Sequence, residues 1–119
     1  MEMEIPGVDT DKGLELCDGD LAMYLRFLRL YATNVPGSLE KMRNVSEEKL
    51  HDYILTAHSV KSNNEVIGAE ESTKRARQLE AMAKAGDLAG VLALNDAFIK
   101  DSESLVGCIQ SWLKKTDAN

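Results

Sequence analysis

A histidine and a lysine three residues apart, His58 and Lys61, are the residue pair in this sequence best suited to chemistry. They lie in a segment with the spacing of an amphipathic helix, in which residues i and i+3 share one side. A neutral imidazole is a nucleophile near neutral pH, and a lysine ammonium is a compact charge that can steady phosphate oxygens. The pair therefore suits a group that accepts, holds and passes on a phosphoryl group. Taken singly, His58 is better explained as an ordinary half-buried helix histidine and Lys61 as a solvated surface lysine; the combination of the two favours the chemical interpretation.

The helix that carries this pair is indicated by an apolar stripe at spacings of three and four residues. Ser46 is the predicted N-cap, and the break is expected near Gly68. His58 falls near the edge of the stripe, where a partner could reach it. The stripe consists of Leu50, Tyr53, Ile54, Ala57 and Val60.

The remaining pattern predicts an all-α protein. A short helix is expected from Asp9 or Thr10 through Cys17, and a longer one follows from Leu21, with Pro36 either breaking or kinking it. A third helical segment covers 69–85, and a last one of about 26 residues begins at Leu88, after the Gly86 stop and with Asp87 as its predicted N-cap. Short connections between four substantial helices predict a single domain, 1–119, folded as an antiparallel up-and-down four-helix bundle with a short extra N-terminal helix.

Composition and charge narrow the classes of function. The chain has 119 residues and a net charge of −6, which disfavours nucleic-acid binding. It has no apolar run long enough to span a membrane, and its start lacks the order of a signal peptide, so we expect no membrane association and a cytoplasmic location. Cys17 and Cys108 are not spaced as a metal or redox pair, and we expect buried thiols in a reducing compartment.

Several segments in order resemble the histidine phosphotransfer (HPt) domain family. The family motif H-x-x-K-G, followed by small residues and a second glycine, is similar to the stretch from His58 to Ala69. The stretch 76–80, Ala-Arg-Gln-Leu-Glu, looks like the family's A-x-x-L-E segment, and 84–87 looks like its usual helix break. Upstream, 5–9, 12–14, 19–20 and 24–25 are similar to the family's common opening. The resemblance therefore covers nearly the whole chain.

The resemblance implies a phosphocarrier of a two-component phosphorelay, without kinase activity of its own. His58 would accept a phosphoryl group from a receiver-domain aspartate and pass it on, and Lys61 would offset the charge of the phosphoryl group. The implied partners are a response-regulator receiver domain and a hybrid sensor kinase. The chain itself would bind no cofactor, because the receiver would supply the divalent metal and most of the electrostatic catalysis. We expect a monomer.

Ser62 departs from the family pattern, which usually has glycine four residues after the histidine. Position i+4 lies beside the histidine on a helix, so serine places a hydroxymethyl group where the partner and the phosphoryl group need room. The hydroxyl could donate to a phosphoryl oxygen, or the side chain could slow transfer. The alternative function is therefore an HPt-like interaction module that binds or sequesters a receiver domain without being phosphorylated.

Other candidates have simpler explanations. His51 lies about two helical turns from His58, too far for a shared metal without a third ligand. Leu55 is the best candidate for an exposed apolar contact with a receiver. The run Lys74, Arg75 and Arg77 is expected to be a solvated face that could also meet an acidic surface. Aspartates at 9, 11, 18 and 20 lack a calcium-loop spacing and fit caps and turns, and methionines at 23, 42 and 82 fit a core or a groove.

The two ends of the sequence bear on its organisation. The initial Met1 and the charged tail Lys114–Asn119 favour a free-standing protein over a domain cut from a hybrid kinase. A bundle with its own metal site is a further possibility, but the sequence has 2 histidines and no E-x-x-H motif to support it.

Overall fold

Five α-helices account for most of residues 3–117, the part of the chain that this computed structural model describes. Within that range the β-type pairing is an isolated bridge between Ile5 and Val8, so the predicted all-α class is confirmed. Residues 1, 2, 118 and 119, which include Met1 and the end of the predicted tail, lie outside the described range. The helices are α1 (Thr10–Leu16), α2 (Leu21–Met42), α3 (Leu50–Ile67), α4 (Glu70–Lys84) and α5 (Leu88–Asp117).

Aspartate caps begin three of the helices. Asp9 accepts a hydrogen bond from the backbone N–H of Lys12 at 3.1 Å, and Asp20 accepts one from Met23 at 3.1 Å. Asp87 accepts from Gly90 at 2.9 Å at the start of α5. Each carboxylate satisfies a backbone donor that has no partner within its helix and places negative charge at the positive end of the helix dipole. The interpretation of these aspartates as caps is confirmed.

Helix α2 continues through Pro36 rather than breaking there. Proline removes one backbone donor, but the residues on both sides of it belong to one buried stripe, and that packing outweighs the loss. Leu21, the predicted first residue of this helix, is 38% exposed and does not belong to the core. The buried residues of α2 are Tyr24, Leu28, Tyr31, Val35, Leu39 and Met42.

The start of α3 differs from the sequence prediction. Ser46 is not its N-cap: α3 begins at Leu50, and the capping residue is Lys49, whose side chain makes no capping bond. The Ser46 carbonyl instead accepts from the Lys49 N–H at 3.1 Å in a turn. The physical reason is upstream, where Asn44 adopts a left-handed φ of 56° and Val45 is buried, so the chain is still turning at Ser46.

The α3–α4 connection is tight and is held from outside by α1. Gly68 has a φ of 86°, a conformation that favours glycine, and the Asp9 backbone N–H donates to its carbonyl at 2.8 Å. A Cβ atom at Gly68 would collide with the Asp9 carbonyl, so the approach of α1 also requires glycine. Helix α3 packs against α2 and α4, and α5 packs against the same two helices from the other side.

The core is apolar with two buried polar clusters. In one, the Tyr31 hydroxyl donates to the side-chain carbonyl of Asn64, whose amide nitrogen donates to Ser72 at 3.0 Å. In the other, Asn95 accepts from Tyr53 at 2.8 Å and donates to the Met42 carbonyl at 2.8 Å. These bonds fix the register of α3 against α2 and α5. None of the described helices has the length and apolar character needed to cross a bilayer.

Candidate functional site

His58 lies on the outer part of α3 with 58% of its side chain exposed. The helix period turns Ala57 and Val60 into the core, and both are fully buried. His58 therefore falls at the edge of the buried stripe, as the sequence pattern predicts. Its ring leans toward α4, where its Nδ1 atom lies 2.9 Å from the Oε2 atom of Glu80.

Glu80 is the centre of a cluster of charged side chains. Its own side chain is only 5% exposed, and three basic groups surround it. Lys61 lies on α3, and its Nζ atom is 2.9 Å from Oε1 of Glu80. Lys84 lies one turn further along α4, and its Nζ atom is 3.1 Å from Oε2. We refer to His58, Lys61, Glu80 and Lys84 as the Glu80 cluster.

The Glu80 carboxyl is ionised at neutral pH despite its burial. Burial by itself raises the pKa of a carboxyl group, because it disfavours the charged form. Hydrogen bonds from Lys61, Lys84 and His58 favour the charged form and outweigh burial, so the pKa of Glu80 is lowered to about 2. The site therefore contains a fixed negative charge next to the Nδ1 atom of His58.

This charge selects the tautomer of His58. An ionised carboxylate can only accept hydrogen bonds, so the Nδ1 atom of His58 must carry the proton in the contact with Glu80. When the ring is neutral, Nε2 then carries the lone pair, on the side of the ring away from Glu80. A carboxylate that holds one ring nitrogen while the other reacts is a recurring way to orient a histidine. The arrangement presents Nε2 as a nucleophile at the protein surface.

The sequence-predicted pair, His58 and Lys61, is brought together through Glu80. Lys61 is 17% exposed, and its ammonium contacts the carboxylate that orients the imidazole. In this structure Lys61 therefore balances the buried charge and holds Glu80 in place. Its predicted role as the charge partner of a phosphoryl group is compatible with this position but stays a prediction.

The surface beside His58 is a ridge along α3. Ser62, four residues on, is partly buried, and Leu55 and Val66 are apolar residues that are 58% and 37% exposed. Spacings of three and four residues place all of them on the outward side of the helix. His51 is exposed on the same ridge, about two turns before His58. His58 thus has the exposed apolar Leu55 about one turn before it and Ser62 about one turn after it, with the exposed Val66 a further turn along.

The basic run on α4 is largely paired. Arg75 bonds Asp101 at 2.8 Å and lies 5.6 Å from the centroid of the Phe98 ring, and Arg77 lies 3.4 Å from Glu65. Lys74 is exposed. These contacts link α4 to neighbouring helices and neutralise part of the positive charge of the run.

Neither cysteine is in a disulfide; Cys17 is buried and Cys108 is partly buried. Within residues 3–117, no group of three or more His, Cys, Asp or Glu residues could hold a metal ion.

A cleft of about 360 Å³ lies near the end of α3, away from the cluster. Its lining includes Lys12, Leu16 and Gly68 but neither His58 nor Glu80. The His58 side chain is 58% exposed and lies outside this cleft, a position that suits contact with a macromolecular partner better than enclosure of a small substrate.

The role of Glu80 was missed from the sequence, although it lies in the segment that resembles the HPt family. The available signal was its spacing: Glu80 lies four residues after Ala76 and three before Ala83, so it belongs to the buried stripe of α4. A charged residue on a buried stripe needs a partner, because burying an unpaired charge is costly. The sequence does not show which residues of α3 provide it.

Comparisons of the chain with protein-family models, with curated proteins and with solved structures found no match. Function is therefore inferred from the Glu80 cluster and the α3 ridge.

Proposed function

We propose that this chain is a histidine phosphotransfer protein of a two-component phosphorelay, with His58 as the phosphoryl acceptor. The observation that carries the proposal is the contact between Nδ1 of the exposed His58 and the buried, ionised carboxylate of Glu80. A carboxylate in this position both selects the nucleophilic nitrogen and offsets the positive charge that the ring acquires on phosphorylation. A histidine with a purely structural role in the core has no need to expose its second ring nitrogen, whereas His58 is 58% exposed.

The Nε2 lone pair of neutral His58 attacks the phosphorus atom of an aspartyl phosphate, and a P–N bond forms as the P–O bond to the aspartate breaks. The aspartate leaves as a carboxylate with its electron pair. The Nδ1 proton stays on the ring, now an imidazolium paired with Glu80. Transfer onward to a second receiver is the reverse of this step.

The proposal includes an arrangement and a set of partners. The four longer helices form an antiparallel up-and-down bundle with α1 as the extra N-terminal helix, in a single domain that acts as a monomer in the cytoplasm. The partners are a receiver domain and the hybrid sensor kinase upstream. A divalent metal bound by the receiver assists the transfer, and this chain contributes the oriented imidazole and no kinase activity.

The experiment is transfer of label from a receiver domain phosphorylated on its aspartate, in the presence of Mg²⁺. We expect the wild-type chain to acquire label that is acid-labile and alkali-stable, as phosphohistidine is. His58→Gln should acquire none. His51→Gln is the matched control, because His51 is an exposed histidine of the same helix outside the Glu80 cluster, and it should be labelled like the wild type. Absence of label on the wild-type chain would refute the proposal.

Ser62 supports a second candidate function, an interaction module that binds or sequesters a receiver without accepting the phosphoryl group. Its side chain occupies the position beside His58 where the HPt family usually has glycine. The same experiment separates the two functions when binding is measured alongside transfer. Tight binding of the receiver with no label on the wild-type chain would establish the second function.

A further inference from the structure

The cluster contains one basic group that the proposed function does not yet use, the exposed ammonium of Lys84. Two lysines contact Glu80, but their surroundings differ. Lys61 is 17% exposed and bonds Oε1, whereas Lys84 is 61% exposed and contacts Oε2. Oε2 is also the oxygen that contacts Nδ1 of His58. The Lys84 ammonium and the His58 ring therefore meet at a single atom.

We propose that Lys84 is the mobile cation of the site: when His58 is phosphorylated, its ammonium leaves Glu80 and pairs with the phosphoryl group on Nε2. Lys61 stays on Glu80 as a positioning residue. This inference rests on the proposed function, and it assigns to Lys84 the charge-partner role that the family resemblance implies for Lys61.

The contact of Lys84 with Glu80 is easier to break than the contact of Lys61 with Glu80. An exposed ion pair such as Lys84–Glu80 contributes little stability, so breaking it costs little. Glu80 keeps the contacts of Lys61 and His58 when Lys84 leaves. Pulling Lys61 away would instead remove the more buried partner of a buried carboxylate, which is expensive. A doubly charged phosphoryl group attracts the free ammonium more strongly than a carboxylate that already has two partners.

The position of Lys84 in the fold supports its mobility. It is the last residue of α4, just before the capping residue Ala85 and Gly86. The end of a helix favours positive charge, and a lysine ammonium on its flexible four-carbon stem can reorient without moving the backbone. Lys84 can therefore change partner without a change in the fold.

The test uses phosphoramidate, a small phosphoryl donor that needs no protein docking surface. His58 is phosphorylated as the P–N bond of the donor breaks and ammonia leaves. We expect Lys84→Gln to be labelled about threefold to tenfold more slowly than the wild type, the range for the loss of one charge-assisted contact. Lys84→Arg should restore most of the rate because it restores the charge. Lys74→Gln removes an exposed lysine from the same helix and should change nothing.

Two further readouts separate a charge effect from a structural one. The rate difference between the wild type and Lys84→Gln should shrink as salt is raised, because salt screens exposed charges. The Nζ resonance of Lys84 should shift on phosphorylation of His58, while that of Lys61 should stay close to its unphosphorylated position. Equal labelling rates for the wild type and Lys84→Gln, or a Lys84 resonance that does not move, would overturn the inference alone. A wild-type chain that takes no label from either donor would overturn the proposed function, and this inference with it.

Discussion

Two kinds of polar cluster occur in the described residues, and they differ in charge and in the exposure of their members. The neutral clusters are centred on the buried side chains of Asn64 and Asn95, and each of these amides accepts one hydrogen bond and donates one within the protein. The Glu80 cluster is charged, and its carboxylate is buried while His58 and Lys84 are mostly exposed. A closed neutral network can only hold helices in register. A buried anion whose partners reach solvent can hold one partner firmly and exchange another.

The largest effect on stability is expected from opening a neutral cluster. Asn95→Ala leaves the Tyr53 hydroxyl and the Met42 carbonyl without their partner in the core. We expect the free energy of unfolding to fall by about 2–4 kcal/mol, measured by urea denaturation. Asn34→Ala makes the same change at an exposed position of α2 and should shift stability by less than about 0.5 kcal/mol.

The same variant tests whether the neutral cluster is only structural. Under conditions in which Asn95→Ala is folded, the rate of His58 labelling by phosphoramidate should equal that of the wild type. A folded Asn95→Ala chain with strongly reduced labelling would contradict the division between the two kinds of cluster.

The next effect is the pH dependence of the Glu80 cluster. A carboxyl group whose pKa falls from 4.5 to about 2 on folding stabilises the folded state above pH 4.5 and loses that contribution as the pH drops through about 2. By 1.36 kcal/mol per pKa unit, the contribution at neutral pH is about 3 kcal/mol. We expect the stability difference between the wild type and Glu80→Gln to be largest at pH 7 and to be mostly lost at pH 2, measured by urea denaturation across that range.

Glu71→Gln supplies the control for this series, since Glu71 is an exposed carboxylate of the same helix. Glu71 lies in the first turn of α4, where the helix dipole favours negative charge, so the stability difference between this variant and the wild type should stay within about 1 kcal/mol. A difference for Glu80→Gln that is unchanged between pH 7 and pH 2 would show that the contacts of Glu80 do not depend on its charge.

Contacts within one helix could be predicted from the sequence, whereas contacts between helices, such as those of the two kinds of cluster, could not. The caps Asp9, Asp20 and Asp87 were predictable because each acts on its own helix. The failed cap at Ser46 depends on the left-handed turn at Asn44, which local propensity did not indicate. To predict which residues of different helices pair, the register between the helices must be known. A helical period in the sequence shows only which face of each helix is buried.

The site shows the same limit. The exposure of His58 followed from the edge of its stripe, and the resemblance to the HPt family pointed to His58 and Lys61. The Glu80 cluster did not follow, because its contacts span 19 and 22 residues between α3 and α4. Glu80 could be recognised as a charge on a buried stripe, and Lys84 lies four residues on in the same helix, but the two partners on α3 required the structure.

Leu55 tests whether the ridge around the charged cluster is a contact surface. Leu55→Asp should slow transfer from a phosphorylated receiver by roughly tenfold, equivalent to about 1.4 kcal/mol, because an apolar contact is replaced by a charge. Labelling by phosphoramidate should not change. Leu92→Asp is the matched control, since Leu92 is 54% exposed and Leu55 is 58% exposed, but Leu92 lies on α5. Equal transfer rates for the two variants would remove Leu55 from the receiver contact.

Ser62→Gly should give the smallest effects, a slight loss of stability and a slight gain in the rate of transfer. Glycine inside a helix costs about 0.5–1 kcal/mol of stability relative to alanine and less relative to serine, so the melting temperature should fall slightly. Removal of the hydroxymethyl group beside His58 should speed transfer from a receiver by about threefold if the serine crowds the partner. Ser59→Gly, an exposed position of the same helix, should lose stability without gaining rate. If Ser62→Gly instead slows labelling by both the receiver and phosphoramidate, the serine hydroxyl assists the phosphoryl group, and the departure at Ser62 belongs to the working site.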